Sequence, residues 1–295
     1  MKSWLLFLVC FVLLIPVASD ARTWVVKKDG TGDCITIQAC IDAAGDGDTV
    51  LVGPGVYAEE LRIEDRSGLA LISECGPAYT QFHEGGFFST IFMRSVSSPS
   101  LIEGFTFAHS FTITGMGGAI DCGRCFITII GNVMFDCAAS TWEGGGGIGG
   151  AMHMLGVSGT ISGNTIYACL AGPGDVGGGI YVDRCPNLAI ERNIIVSCRG
   201  GGIFGYNNVP FIFCNDVWNN TPSNYGGVIS DQTGINGNIS VNPLFCDPST
   251  WNLFLNCTSP CLNPSGCGRM GALPMGCGPT AVEQTTWGRI KSFFR

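Results

Sequence analysis

The stretch GGAMHMLGVSGTISGNTIYAC, residues 149–169, has three approximate copies in the chain, which begin at Gly117, Gly177 and Gly200. Each copy places an asparagine near its end: Asn132, Asn164, Asn193 and Asn215. The intervals between these asparagines are 32, 29 and 22 residues, and the extra residues of the longer intervals fall just before the next glycine pair. Repetition with insertions confined to one point predicts a stacked solenoid whose loops emerge along one edge.

The apolar residues of each copy alternate in short runs, such as Ile127 and Ile129 and then Val133 and Phe135, broken by Gly, Asn or Pro. This pattern predicts strands, because it is too short and too interrupted for helices. Three strands and their turns fill about 22 residues, and successive coils would stack at ~4.8 Å. The fold class is therefore all-β, a parallel β-helix of about eight coils. We interpret the asparagines as a turn ladder, since Asn tolerates the left-handed conformation and bonds to nearby backbone.

Several segments also carry a family resemblance. VVKKDGTGDCITIQACIDAAGDGDTVLVGPGVYAEEL (residues 25–61), IEGFTF (102–107) and the GGGIY copies resemble right-handed parallel β-helix proteins of the pectin-lyase-like superfamily. NPLFCDPSTWNLFLNCTSPCLNPSGCGRMGALPMGC (242–277) resembles the closing segment of secreted bacterial members. The resemblance implies a right-handed, single-stranded solenoid. It does not fix the activity, because this fold carries lyases, hydrolases, esterases and adhesins.

The chain divides into five expected parts. Residues 1–21 have the layout of a secretory signal peptide, and their apolar run is shorter than the ~20 residues of a membrane-spanning helix. We expect an N-terminal cap and first coil over 22–61, the β-helix over 62–241 and a cysteine-rich closing segment over 242–279. Residues 280–295 predict a short amphipathic tail, either a sorting tag or an end cap.

The N-terminal cap is expected to contain a helix over TIQACIDAA, residues 36–44. Four residues would share its inward face: Ile37, Cys40, Ile41 and Ala44. The helix would cover the open end of the first coil, which would otherwise be exposed to edge-to-edge association. No segment after residue 21 predicts a transmembrane span, and we expect a protein that is secreted or held at a bacterial cell surface.

The net charge limits the possible binding partners, and the cysteine content predicts disulfides. The chain has 15 basic and 23 acidic residues, a net charge of -8, which excludes the basic footprint of nucleic-acid binding. Fifteen cysteines follow Cys10, so an exported chain would form disulfides and keep at least one thiol. Cys137, Cys169 and Cys198 hold equivalent places and could pair, but we favour core thiols. We expect the disulfides among the cysteines of the closing segment: Cys246, Cys257, Cys261, Cys267 and Cys277.

Known enzyme motifs are absent. GPGVYAEE resembles the Gly-x-Tyr-x-Glu segment of pectin methylesterases, but the Gln-Asp-Thr-Leu and Asp-Phe-Ile-Phe-Gly motifs that hold their catalytic aspartates do not occur. Polygalacturonases combine paired aspartates and Gly-His-Gly with Arg-Ile-Lys, and only Arg289 to Lys291 match. The pectate-lyase segments are missing too. Cys122 and Cys125 lack a second ligand pair, so no metal site is expected there.

The register of the repeat predicts a strip of outward side chains just after the variable loops. One row is Asp121, His153, Tyr181 and Phe204, and Asp183 and Tyr206 lie two residues further on. The loops add Trp142, Glu143 and Asp175. Together these aromatic rings and carboxylates would suit a sugar-binding groove. The alternative is that the aromatic residues only stabilise their cross-strand neighbours.

The leading hypothesis is therefore extracellular polysaccharide or cell-surface glycan binding, or adhesion, along this edge. A polysaccharide lyase or glycoside hydrolase is the second hypothesis, with His153 as a base oriented by Asp121. The alternative is that His153 and Asp121 form an ordinary surface contact without a catalytic role. A structural protein without a ligand is the third. No cofactor is expected, although calcium could neutralise the enolate of a lyase reaction.

Overall fold

The computed structural model describes residues 21–83, 87–141, 146–172, 174 and 176–278, and within them the chain winds through three long parallel sheets. Each coil contributes one strand to sheet 1, then one to sheet 2, then one to sheet 3. The three sheets contain eight, seven and seven strands of the described residues. The expected all-β parallel β-helix is thus confirmed.

The strands are short and follow the repeat. Sheet 1 comprises Thr23–Val26, Thr49–Val52, Ala70–Ser73, Ser100–Glu103, Phe126–Ile130, Ser158–Ser162, Leu188–Glu191 and Phe211–Phe213. Sheet 2 comprises Gly55–Tyr57, Thr80–His83, Thr106–Ala108, Val133–Phe135, Thr165–Tyr167, Ile194–Val196 and Asp216–Trp218. Sheet 3 comprises Leu61–Glu64, Ile91–Arg94, Ile120–Gly123, Met152–Leu155, Ile180–Asp183, Ile203–Gly205 and Tyr225–Gly227.

Two smaller sheets complete the molecule. Phe111–Thr112, Ala138–Ala139 and Leu170–Ala171 pair between sheets 2 and 3, beside the variable loops. In the closing segment, Phe245–Asp247 runs antiparallel to Asn252–Asn256, which pairs in parallel with Met275–Cys277. A 3₁₀ helix covers Pro248–Thr250. No helix within the described residues has the length and apolar character that a membrane crossing requires.

The glycine pair that opens each copy has a steric cause. Gly149 adopts φ +71°, and a Cβ there would lie 2.3 Å from the carbonyl oxygen of Met152. A Cβ on Gly150 would lie 2.4 Å from the carbonyl oxygen of Gly178 in the next coil. No side chain larger than that of glycine therefore fits at either position where the chain returns from a variable loop. At Gly149 the left-handed backbone conformation favours glycine as well.

The asparagines form a fully buried ladder in the turn between sheets 1 and 2. Asn164 shows the pattern: its Oδ1 accepts from the backbone N–H of Asn132 at 2.9 Å, and its Nδ2 donates to the Oδ1 of Asn193 at 2.9 Å. The left-handed residue is the one before each asparagine, such as Gly163 with φ +60° or Arg192 with φ +54°. The asparagines are therefore selected as hydrogen-bonding partners of the neighbouring coil, and the expectation that they take the left-handed conformation was wrong.

The N-terminal helix spans Ile37–Ala43 and buries the face that the sequence indicates, including Ile37, Cys40 and Ile41. Glu59 accepts hydrogen bonds from the backbone N–H groups of Ile37 and Gln38, at 3.0 and 3.1 Å. A carboxylate is stabilised at this end because the first N–H groups of a helix lack intrahelical partners. The Glu of the GPGVYAEE segment thus caps the helix.

Cysteine pairing follows the expectation in part. Cys137, Cys169 and Cys198 are buried free thiols, as favoured, and Cys246 pairs with Cys277. The other two disulfides were not anticipated, because they join Cys34 to Cys40 and Cys214 to Cys267. Cys257 and Cys261 are free, which corrects their assignment as disulfide partners. Cys261 belongs to the closing segment, where its buried thiol lies beside a buried carboxylate.

That carboxylate belongs to Asp216, which is fully buried where the closing segment packs on sheet 2. Its Oδ1 accepts from the backbone N–H of Val241 at 3.0 Å, and its Oδ2 accepts from the thiol of Cys261 at 3.2 Å. Burial raises the pKa of Asp216 to about 6, because two weak partners do not replace the lost hydration of the charged form. The group is therefore more easily protonated in the folded chain than in the unfolded chain, where its pKa is about 3.9.

Asp216 should make the protein less stable as the pH rises. Between pH ~4 and ~6 the folded state binds more protons at this group than the unfolded state, so the free energy of unfolding falls across that window. In Asp216→Asn this contribution is absent, so its stability relative to the native protein should rise by about 2 kcal/mol from pH 4 to pH 7. Urea unfolding at both pH values measures the difference, and a constant difference would contradict the assignment.

Candidate functional site

The outward row of sheet 3 is the candidate site. Asp121, His153, Tyr181 and Phe204 pair directly in successive strands, as the repeat alignment predicts. The second row continues from Gly123 through Leu155 to Asp183. Tyr206 follows directly after the last strand of that row, where its N–H donates to the carbonyl of Val182. The parallel ladder thus fixes these side chains in two adjacent rows.

A hydrogen-bonded pair lies at the centre of the first row. The Nδ1 of His153 is 2.7 Å from the Oδ1 of Asp121, and both side chains are almost fully buried, at 3% and 2% exposed. On the other side Arg94 donates from Nη2 to the Oδ2 of Asp121 at 2.6 Å. Each carboxylate oxygen therefore has its own donor, and the negative charge faces a guanidinium in a site shielded from water.

Arg94 was not identified from the sequence. It belongs to the coil before the first recognisable repeat, in the strand Ile91–Arg94, and pairs with Gly123. A Cβ on Gly123 would lie 2.8 Å from the Arg94 side chain, so the glycine makes room for the guanidinium. Arg94 could have been identified from the sequence by extending the strand register one coil toward the N-terminus, from Gly123.

The row continues as a stack of rings. The His153 and Tyr181 rings have centroids 5.5 Å apart, and Tyr181 and Phe204 are 5.7 Å apart with an interplanar angle of 10°. Asp183, in the second row, accepts from Asn207, and Tyr206 beyond it is 59% exposed. The rings hold one another in fixed orientations, which lowers the entropy lost when a ligand packs on the exposed end.

The middle of the row is covered, which corrects the expectation of an open outward strip. Asp121, His153 and Tyr181 are buried, whereas Phe204 is half-buried and Tyr206 is exposed. The cause lies in the returning loops, because Gly149 and Gly177 come down onto the strands that follow them. A Cβ on Gly149 would lie 2.9 Å from the backbone nitrogen of His153. Alternation along a strand gives the direction of a side chain, and the loops decide whether solvent reaches it.

The remaining expected site residues fall elsewhere. Trp142, Glu143 and Asp175 lie outside the described residues, as do most of the expected signal peptide and the whole of the expected tail. Cys122 and Cys125 are buried thiols, and a hydrogen bond from Cys122 lowers the pKa of Cys125 to about 7. Within the described ranges, no group of three or more His, Cys, Asp and Glu side chains could hold a metal ion.

The contact with Asp121 also determines which nitrogen of the His153 imidazole carries the proton. A carboxylate that already accepts from Arg94 can only accept from His153, so Nδ1 carries the proton toward Asp121. In neutral His153 the other ring nitrogen, Nε2, is then the basic one. This is the arrangement by which a carboxylate orients a general base. It also stabilises a buried structural pair, since each polar atom of the contact is satisfied.

Comparison with known proteins agrees with the architecture. The model of the family described as "Right handed beta helix region" matches residues 88–242, just over half of the 295 residues. The match covers every coil that carries the glycine pair and the asparagine ladder. No curated protein matches the chain in sequence.

Because Asp121 is buried, its replacement should cost more unfolding free energy than replacement of a surface aspartate that makes the same contact with a histidine. His109 Nδ1 lies 2.7 Å from Asp136 Oδ2, but these side chains are 37% and 53% exposed. Asp121→Asn turns an amide N–H₂ toward one of the two donors, buried His153 or partly buried Arg94, and should cost about 2–4 kcal/mol of unfolding free energy. Asp136→Asn should cost less than ~1 kcal/mol. Equal losses in urea unfolding would show that the Asp121 network is not a buried one.

Proposed function

The chain belongs to the right-handed β-helix family, and from this membership we propose that it is an exported protein that binds extracellular polysaccharide or a cell-surface glycan. We place it among secreted bacterial members of the pectin-lyase-like superfamily, on the resemblance of residues 25–61 and 242–277. The three disulfides of the described residues support export, because such bonds persist in oxidising compartments.

The observation that carries the proposal is the ring stack of sheet 3, which is rigid at its buried end and open at the other. Tyr181 and Phe204 are held parallel, and Tyr206 stands exposed beside them. Aromatic faces pack against the apolar face of a sugar ring, while carboxylates such as Asp183 accept hydrogen bonds from its hydroxyls. We propose that Trp142, Glu143 and Asp175 extend this surface on the loops, since loops over a rigid scaffold commonly carry binding residues.

A second candidate function is polysaccharide cleavage, by a lyase or a glycoside hydrolase. The 2.7 Å contact between Asp121 and His153 favours it, because it presents Nε2 as a base. The burial of both side chains weighs against it, since a general base must reach the proton that it abstracts. We propose no resident cofactor, and calcium would serve only the lyase reaction.

Tyr206→Ala tests the binding surface. The variant should weaken retention on an insoluble polysaccharide or a glycan array by about 3-fold to 10-fold, because it removes an exposed ring worth ~1 kcal/mol of contact. Tyr79→Ala is the matched control, because Tyr79 is 65% exposed and precedes a strand of sheet 2.

Three outcomes separate the candidates. Loss of retention in Tyr206→Ala but not in Tyr79→Ala supports the proposed surface, and equal retention by both variants contradicts it. Release of unsaturated uronate products or new reducing ends by the native protein, abolished in His153→Ala, would favour the enzyme instead. Absence of retention by the native protein on every polysaccharide would contradict the proposed function itself.

A further inference from the structure

A second aromatic cluster lies on the outer face of sheet 2, beneath the closing segment. Trp251 stacks on Phe135, with ring centroids 4.7 Å apart and an interplanar angle of 18°. The edges of the cluster are His109 and Tyr167, whose rings lie 5.5 and 6.0 Å from that of Trp251. Phe135 and Tyr167 pair in register through their strands, so the scaffold fixes the floor on which the indole rests.

The backbone of Trp251 is unusual for a residue of its size. It adopts φ +61°, a left-handed conformation in which a bulky side chain is strained. The residue nevertheless remains 37% exposed. The turn of the closing hairpin thus presents an indole that solvent can still reach.

Trp251 lines a cavity of about 410 Å³ between sheet 2 and the closing segment. Phe135, Phe254 and Leu253 supply apolar walls, and Gln81 and Asn252 supply amides. The Gln81 side chain makes no hydrogen bond to the described residues, so its amide is available to a ligand. An apolar wall with a few polar groups is the usual composition of a small-molecule site.

The lining also indicates the charge of the ligand. None of the described residues that line the cavity carries a charge. A uronate or a sulfated sugar would leave its anion without a cationic partner there, in a protein of net charge -8. A neutral pyranose fits this lining better than a charged sugar does. Its C–H face can pack against the indole, and its hydroxyls can form hydrogen bonds with the amides.

We propose that this cavity binds a neutral hexose unit of a polysaccharide, with Trp251 as the packing surface and Gln81 as the hydrogen-bonding residue. The inference rests on the proposed polysaccharide binding and adds to it a sugar class and a second point of contact. It is independent of the loop-bearing edge, since none of the described residues that line the cavity belongs to sheet 3.

The test is calorimetric titration of the full chain with cellohexaose as the neutral probe and hexagalacturonate as the acidic probe. Cellohexaose should bind at least ~10-fold more tightly than hexagalacturonate, a difference of about 1.4 kcal/mol. Trp251→Ala should weaken cellohexaose binding at least ~10-fold, and Gln81→Leu by about 3-fold to 10-fold. Phe111→Ala is the matched aromatic control, at 39% exposed, and should bind as the native protein does.

Gln81→Leu keeps the test decisive if Trp251→Ala fails to fold, because the half-buried Gln81 side chain makes no hydrogen bond to the described residues and leucine has a similar size. Unchanged cellohexaose affinity in a folded Gln81→Leu, or tighter binding of hexagalacturonate, would overturn the inference. If Tyr206→Ala abolishes binding while the cavity variants bind normally, the proposed function stands and this site is wrong. If the native protein binds neither probe, the neutral-sugar site is overturned, and retention on other polysaccharides decides the proposed function separately.

Discussion

At the turn between sheets 1 and 2, each coil buries a backbone N–H that needs an acceptor, and the side chain of the next coil's asparagine supplies it. Asn132, Asn164, Asn193 and Asn215 are fully buried, and the ladder continues to Asn238. Each amide also donates to carbonyl oxygens of the turn, as Asn164 does to Ile129 and Ser162. A slip of one coil by one residue would leave these groups unpaired in the core, where each costs ~1–3 kcal/mol.

The fixed register gives the protein its candidate site. Because the coils cannot slide, Asp121, His153 and Tyr181 face one another along sheet 3. The insertions of the repeat all fall in the chain between a short strand such as Ala138–Ala139 and the next strand of sheet 3. The same register places Phe135 and Tyr167 in one row of sheet 2, where Trp251 packs. The solenoid thus presents two aromatic surfaces, each built on rings that pair across successive coils.

The periodicity of the sequence predicted the strands and the N-terminal helix, but it did not predict how far the site residues are buried. The alternation of Ile127 and Ile129 and the helical face of Ile37 follow from backbone geometry alone, so the sequence was sufficient for both. The burial of His153 depends on the path by which the preceding variable loop returns at Gly149, and the pairing of Cys214 with Cys267 depends on where the closing segment docks. The fifth ladder residue, Asn238, was within reach, because the Ile-x-x-Asn spacing of Ile161 and Asn164 recurs at Ile235 and Asn238.

The ladder is tested most directly by urea unfolding of Asn164→Ala beside Asn187→Ala. Asn187 is an exposed asparagine in the following coil. Asn164→Ala leaves the N–H of Asn132 and two carbonyl oxygens without their partners, and it should lower the free energy of unfolding by about 3 kcal/mol or more. Asn187→Ala should stay within ~0.5 kcal/mol of the native protein. A loss of less than ~1 kcal/mol in Asn164→Ala would show that the coils hold their register without the amide ladder.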